Sequence, residues 1–168
     1  MLTDSREISE GHAFSRASTI LFEVHRRSRA HGGNGMTGVA EHEHNKQVVR
    51  RIVEEMFNAG RLDVANEIFS PEFVDRGHEQ MAQKKGGPDG FAHFVKTVRE
   101  ALPDINAAIQ AMVAEGDYVA MWNTATATHR GELFGMPPSG NRISMKDFHF
   151  FRFKDGKIVE HWNQVGFA

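Results

Sequence analysis

Residues 145–165, MKDFHFFRFKDGKIVEHWNQV, read as a strand, a tight turn and a second strand, and this hairpin constrains the fold more than any other stretch. Asp155-Gly156 is favoured turn chemistry, because both residues tolerate the positive φ that short hairpin loops require. Upstream, INAAIQAMVAEGDYVAMWNTATATHRG holds two further strand-like runs that meet at Glu115-Gly116-Asp117. Strands joined so closely pair antiparallel. A sheet of this kind must cover its apolar face with something, and the chain supplies helices before the strands.

Those helices are legible from spacing. NKQVVRRIVEEMFNAG sets Val48, Val49, Ile52, Val53, Met56 and Phe57 at helical intervals, with Asn45 placed to cap the start and Gly60 to end it. RLDVANEIF gives a second, shorter helix stopped by Pro71; EFVDR reads as a short strand and HEQMAQKKGG as a loop. GPDGFAHFVKTVREALP is a third helix, with Pro88 in its first turn, Phe91, Phe94, Val95 and Val98 as its stripe, and Pro103 as its stop. Three helices followed by an antiparallel sheet define an α+β domain, with the helices over the concave side of a curved sheet.

We place that domain at residues 45–168, a length able to bury a sizeable core without staples. Residues 1–44 form an N-terminal extension, flexible or partly ordered, which holds five of the ten histidines at irregular spacing. Such spacing favours a solvated segment over a metal tract, and EHEH falls on the linker before the first helix. Met36 is an alternative start, since the codons of Gly32-Gly33 permit a ribosome-binding sequence upstream; the mass of the native protein decides this. With no cysteine, thiol catalysis, disulfides and thiolate-bound zinc are excluded. A formal charge of −2 offers no general attraction to nucleic acid or anionic membrane. No apolar run is long enough to span a bilayer, and MLTDSREISEGHAF is not a signal peptide, so we expect a cytoplasmic protein.

GPDGFAHFVKTVREALPDI, MVAEGDYVAMWNTATATHRGELFGMPPSGNRIS and FRFKDGKIVEHWNQV, in this order and spacing, resemble the SnoaL-like polyketide cyclase family from about residue 45 to the end. The resemblance implies an NTF2-like cone-shaped barrel, in which helices and a curved, mostly antiparallel sheet enclose one deep apolar pocket. It also implies an enzyme without metal or organic cofactor, closing a ring in an aromatic polyketide by intramolecular aldol chemistry. In the family a carboxylate on the last strand moves the proton and a histidine on the preceding strand assists. Here His149 falls at the histidine position and Asn163 at the aspartate position. An amide neither gains nor loses a proton near neutral pH, so Asn163 is expected to hold an enolate oxygen instead.

The proton-transfer role then passes to this chain's own groups. His149 shares a strand face with Asp147, Phe151 and Phe153 by alternation, and Asp147 is the carboxylate expected to orient it. Trp122 is a pocket wall or core. His129 sits at the pocket mouth or holds its loop, His78 is a second base or surface, and Met56 shapes an adaptable cavity or packs the core. Phe151 belongs to the apolar enclosure. His161 shares the face of Asn163 but is expected to be exposed or between subunits, while Asp75 lies near the end of the short strand. The expected partners are a hydrophobic, carbonyl-bearing small molecule and further copies of the chain, as a homodimer or homotetramer. A cofactor-independent oxygenase, isomerase or dehydratase, or a binding protein without catalysis, would use the same pocket.

Overall fold

The computed structural model describes residues 35–77 and 86–167. Helix α1 (Gly35–Arg51) continues as a π-helical segment over Ile52–Asn58. A short α2 (Val64–Ile68) leads into strand β1 (Phe69–Asp75), and α3 (Gly87–Ala101) precedes β2 (Asn106–Glu115), β3 (Tyr118–Thr128), β4 (Arg142–Lys154) and β5 (Lys157–Phe167). The strands form one sheet in the order β1-β5-β4-β3-β2. All neighbours are antiparallel except β1 and β5, which run parallel. Among the described residues no helix is long and apolar enough to cross a membrane.

Both expected hairpins form. Gly116 (φ 57°) turns β2 into β3, and Asp155 (φ 52°) with Gly156 (φ 73°) turn β4 into β5. Register irregularities between Ile109 and Ala111, and between Arg152 and Phe153, mark bulges, which bend strands and increase their twist. The concave face of the bent sheet receives α1, the π-helical segment and α3.

The first helix starts at Gly35 rather than Asn45. Asn45 is therefore no cap but a buried side chain within α1, and His42 and His44 lie on the helix instead of a linker. The polar run AEHEHNK conceals this start, since its apolar periodicity begins only at Val48. The rest of the expected extension, through residue 34, lies outside the described residues. At the other end Gly60 (φ 75°) breaks the π-helical segment, where a Cβ would come within 3.0 Å of Arg99 Nε. The Arg99 guanidinium donates to the terminal carbonyls of Phe57 and Asn58, closing orphaned acceptors at that helix end. Asn58 then mimics a strand partner: its Nδ2 donates to the Ala107 carbonyl at 2.9 Å and its Oδ1 accepts from the Ala107 N–H at 2.8 Å. One amide thus fixes the helix end against the free edge of β2.

The core is dense in aromatic rings. Phe69 lies 4.3 Å from Phe73 and 4.8 Å from Phe91, with Phe57 and Phe94 packed around Phe91 at 6.5 and 6.0 Å. Such pairs contribute about 0.5–1.5 kcal/mol each beyond their area burial. Phe91 also meets the His161 ring edge-on at 5.8 Å, so the core reaches directly to a polar group on the sheet.

Candidate active site

Between the sheet and helices lies a cavity of about 520 Å³. Its helical wall is apolar, formed by Ile52, Val53, Phe57, Phe91, Phe94 and Val98. The sheet wall is different: Asn123 on β3, Asp147 and His149 on β4, and His161 and Asn163 on β5 all line it. Alternation explains the grouping, because these residues share the concave face while their sequence neighbours point outward. Strand pairing sets His149 directly opposite Asn163, Phe151 opposite His161, and Asn123 opposite Asp147.

His161 is 1 % exposed, which corrects the expectation of a surface or intersubunit residue. Its Nε2 lies 2.9 Å from His149 Nδ1, and its Nδ1 lies 3.1 Å from Asp75 Oδ1. The Asp75 carboxylate also accepts the Gly77 backbone N–H at 3.0 Å. Phe151 stacks on the His161 ring at 4.7 Å and Phe91 meets it edge-on, so the imidazole is held by rings as well as hydrogen bonds. The resulting chain Asp75–His161–His149 runs from the end of β1 to the cavity wall. Spacing gave no sign of it, because it depends on the parallel pairing of β1 with β5, which sets Asp75 beside His161.

Asp147 hydrogen-bonds across the sheet to its β3 neighbour Asn123. Its Oδ2 accepts from Asn123 Nδ2 at 3.2 Å, whereas the ring that meets His149 Nδ1 is that of His161. Asn123 Oδ1 is buried without a hydrogen-bond partner among the described residues. Asn123 was missed; a polar residue among Met121, Ala125 and Ala127 on the buried alternation of β3 was its only signal.

Three expected contact residues stand apart from the cavity. Trp122 points to the convex face, where it is 38 % exposed and stacks on Phe148 at 5.9 Å. Met56 is fully buried in the core rather than on the cavity lining. His129 is buried in its loop with Nδ1 3.3 Å from Ser139 Oγ, and is not on the lining either. Phe151 does line the cavity, and His78 lies outside the described residues.

The loop after β3 closes one side. Arg130 and Gly131 donate backbone N–H bonds to the Ala101 carbonyl, and a Cβ on Gly131 would sit 2.8 Å from Ala101 Cα, so the loop lies flat on the end of α3. Leu133 and Met136 exchange both backbone hydrogen bonds around a two-residue turn. That turn holds Phe134 at φ 50° and Gly135 at φ 84°. Phe134, Leu133 and Met136 all line the cavity, and the Phe134 ring stacks on Phe94 at 5.7 Å.

Beside the histidine chain, Glu160 takes Arg76 at 2.8 Å and Arg152 at 2.5 Å. Burial pushes its carboxyl up, but the two guanidinium hydrogen bonds and their charge attraction outweigh this and leave it below the usual carboxylate range. Arg76 also donates its backbone N–H to the His161 carbonyl at 2.8 Å, so this cluster ties β1 to β5 where Asp75 meets His161.

A family model described as SnoaL-like polyketide cyclase matches residues 47–167. The chain is 32% identical over 116 residues to the aklanonic acid methyl ester cyclase DnrD of Streptomyces peucetius, covering 68% of this chain and 79% of that protein. It is 31% identical over 106 residues to the nogalonic acid methyl ester cyclase of Streptomyces nogalater, covering 62% and 78%. The solved structure of AclR, a candidate hydroxylase from Streptomyces galilaeus, matches with a TM-score of 0.60 at 29% identity, over 73% of this chain and 88% of that one.

Proposed function

The chain belongs to the SnoaL-like polyketide cyclase family, with its NTF2-like α+β fold, and from that premise we propose that it closes a ring in a hydrophobic, carbonyl-bearing polyketide by intramolecular aldol chemistry. The observation that carries the reading is the direct opposition of His149 and Asn163 on the polar wall of an otherwise apolar cavity. His149 removes a carbon-bound proton next to a substrate carbonyl. The Asn163 NH₂ group holds the enolate oxygen that forms, which is electrostatic rather than proton-transfer catalysis. The enolate carbon then adds to a second carbonyl of the same molecule, and His149 returns its proton to the new alkoxide. Each step is internally balanced and needs no oxidant. Phe151, Phe91 and Phe94 exclude water around the charge. The relatives' names, both methyl ester cyclases, support a methyl ester as substrate class.

An aryl β-keto methyl ester in deuterated water tests the first step without the natural substrate. Exchange of its activated methylene above buffer background is expected, falling to background in His149→Ala. Replacing Asn163 by Leu is expected to cost about 10²–10³ in rate, the usual cost of one oxyanion donor. Binding of the ester with no exchange would replace this reading by that of a binding protein without catalysis. The likeness to AclR supports a second outcome of the same enolate, its oxygenation by O₂. Oxygen uptake coupled to substrate loss distinguishes that outcome from cyclisation.

The convex sheet face carries the case for assembly. Trp122, Phe148 and Val113 are exposed on it, 38 %, 54 % and 67 % respectively, and this apolar surface suits a homodimer or homotetramer.

A further inference from the structure

We propose that Asp75 and His161 form a proton-holding relay behind His149, so that the His149 Nε2 atom serves first as base and then as acid. This rests on His149 being the base, and it assigns work to two residues that the cyclisation scheme leaves unused.

The argument begins at the buried end. A carboxylate only accepts, so the 3.1 Å contact with Asp75 Oδ1 places the His161 proton on Nδ1. In a neutral imidazole the other nitrogen is then an acceptor, and His161 Nε2 is the atom 2.9 Å from His149 Nδ1. His149 must therefore donate from Nδ1, which puts its lone pair on Nε2. Two hydrogen bonds in series thus fix the tautomer of the base from a carboxylate two residues removed.

The same chain gives the abstracted proton somewhere to go. When Nε2 takes the substrate proton, the Nδ1 proton passes to His161 Nε2. His149 is then neutral with Nε2–H, ready to protonate the alkoxide, and the positive charge rests on His161 against the Asp75 carboxylate. Protonation of the product reverses the transfer, so no net proton is gained or lost. A charge left on His149, facing the apolar cavity, would be more costly than one paired with the Asp75 carboxylate. His161 is suited to receive it, since Phe151 and Phe91 fix its ring in place. Asp75 is fixed by the Gly77 N–H as well. Both are positioning residues, acting on substrate only through His149.

Nitrogen-15 NMR of the full chain labelled at histidine, at neutral pH and without substrate, reads the tautomers directly. His149 and His161 are both expected as Nδ1–H with a pyridine-type Nε2, assigned by the loss of each signal set in His149→Gln and His161→Gln. In Asp75→Asn the pyridine-type Nε2 signal of His149 is expected to give way to a mixture of tautomers, and His161→Gln should do the same from the next link. A wild-type His149 protonated on Nε2 would overturn the proposal, as would an unchanged His149 tautomer in both folded variants. If neither variant folds, the wild-type tautomer alone decides. Because no substrate enters this measurement, its failure is separate from that of the deuterium-exchange experiment, which tests His149 as base.

Discussion

Gly77 and Asn163 are in backbone contact: a Cβ built on Gly77 would lie 1.9 Å from Asn163 Oδ1 and 2.7 Å from the Asn163 backbone nitrogen. The end of β1 therefore passes over the very amide that faces His149, and only glycine leaves room for it. Gly77→Ala is expected to displace the amide and to strain the β1–β5 junction, at about 1–3 kcal/mol of overpacking. Thermal unfolding should show the loss of stability, and deuterium exchange into the β-keto ester should fall with it. A variant equal to wild type in both measurements would mean that the contact has no role in the site.

Phe134 gives a second prediction, because two opposing terms meet there. Holding a bulky residue in the left-handed region costs about 1–2 kcal/mol, while its stack on Phe94 returns about 0.5–1.5 kcal/mol. Phe134→Gly removes both, so its melting temperature is expected to stay near that of wild type. Phe134→Ala removes the ring but keeps the strain, and should be the less stable of the two. In both variants an aromatic ligand loses part of the cavity rim, so its dissociation should quicken more than its association slows. Stopped-flow binding of the β-keto ester checks this; unchanged dissociation in both variants would take Phe134 out of the ligand's path.

These residues also show how far the sequence could be read. Local chemistry was legible: Gly116 and the pair Asp155-Gly156 announce their hairpins, and the Phe91–Val98 stripe announces α3, because each signal lies within a few residues. Alternation placed Asp147, His149 and Phe151 on one face for the same reason. What alternation cannot show is which face is concave, and so Trp122, large and apolar, was assigned to the wrong side. Asp75 and His161 lie far apart in the chain and meet only because β1 inserts parallel beside β5. No local pattern encodes that pairing. His161 was misjudged on polarity alone, since a buried imidazole becomes favourable only when its partners are known. The start of α1 at Gly35 was missed because residues 38–44 are half-buried or exposed and carry no apolar period.

The stacked pair Trp122 and Phe148 on the convex face leads to a third prediction. The exposed stack beside Val113 is a contiguous apolar patch, and such a patch suits an interface between copies of the chain. Trp122→Glu is expected to move the protein toward monomer in light scattering. Its melting temperature should then become less dependent on protein concentration, as expected when association stabilises the fold. Because Trp122 stands on the face opposite the cavity, exchange of the β-keto ester should persist in that variant unless assembly itself shapes the cavity. A wild-type protein that is monomeric at high concentration would remove the basis for the prediction.

Glu160 is expected to contribute to the acid limit of the β1–β5 junction. Although burial raises its carboxyl, the hydrogen bonds and charges of Arg76 and Arg152 hold it below its ordinary value of 4.5. A folded-state carboxyl that is depressed binds its proton later than the unfolded chain does. Its stabilising contribution is thus complete above the ordinary value and is lost as pH falls from there through the folded value. Wild-type melting temperature should accordingly decline on acidification within that range. In Glu160→Gln this part of the decline should be absent, leaving a shallower acid limb and a lower plateau near neutral pH, where the charged cluster is missing. The plateau difference should shrink in high salt to the extent that the exposed Arg76 arm is screened, while the better-covered Arg152 contact resists screening. Parallel acid limbs for the two proteins would show that the Glu160 cluster is not what ties stability to pH.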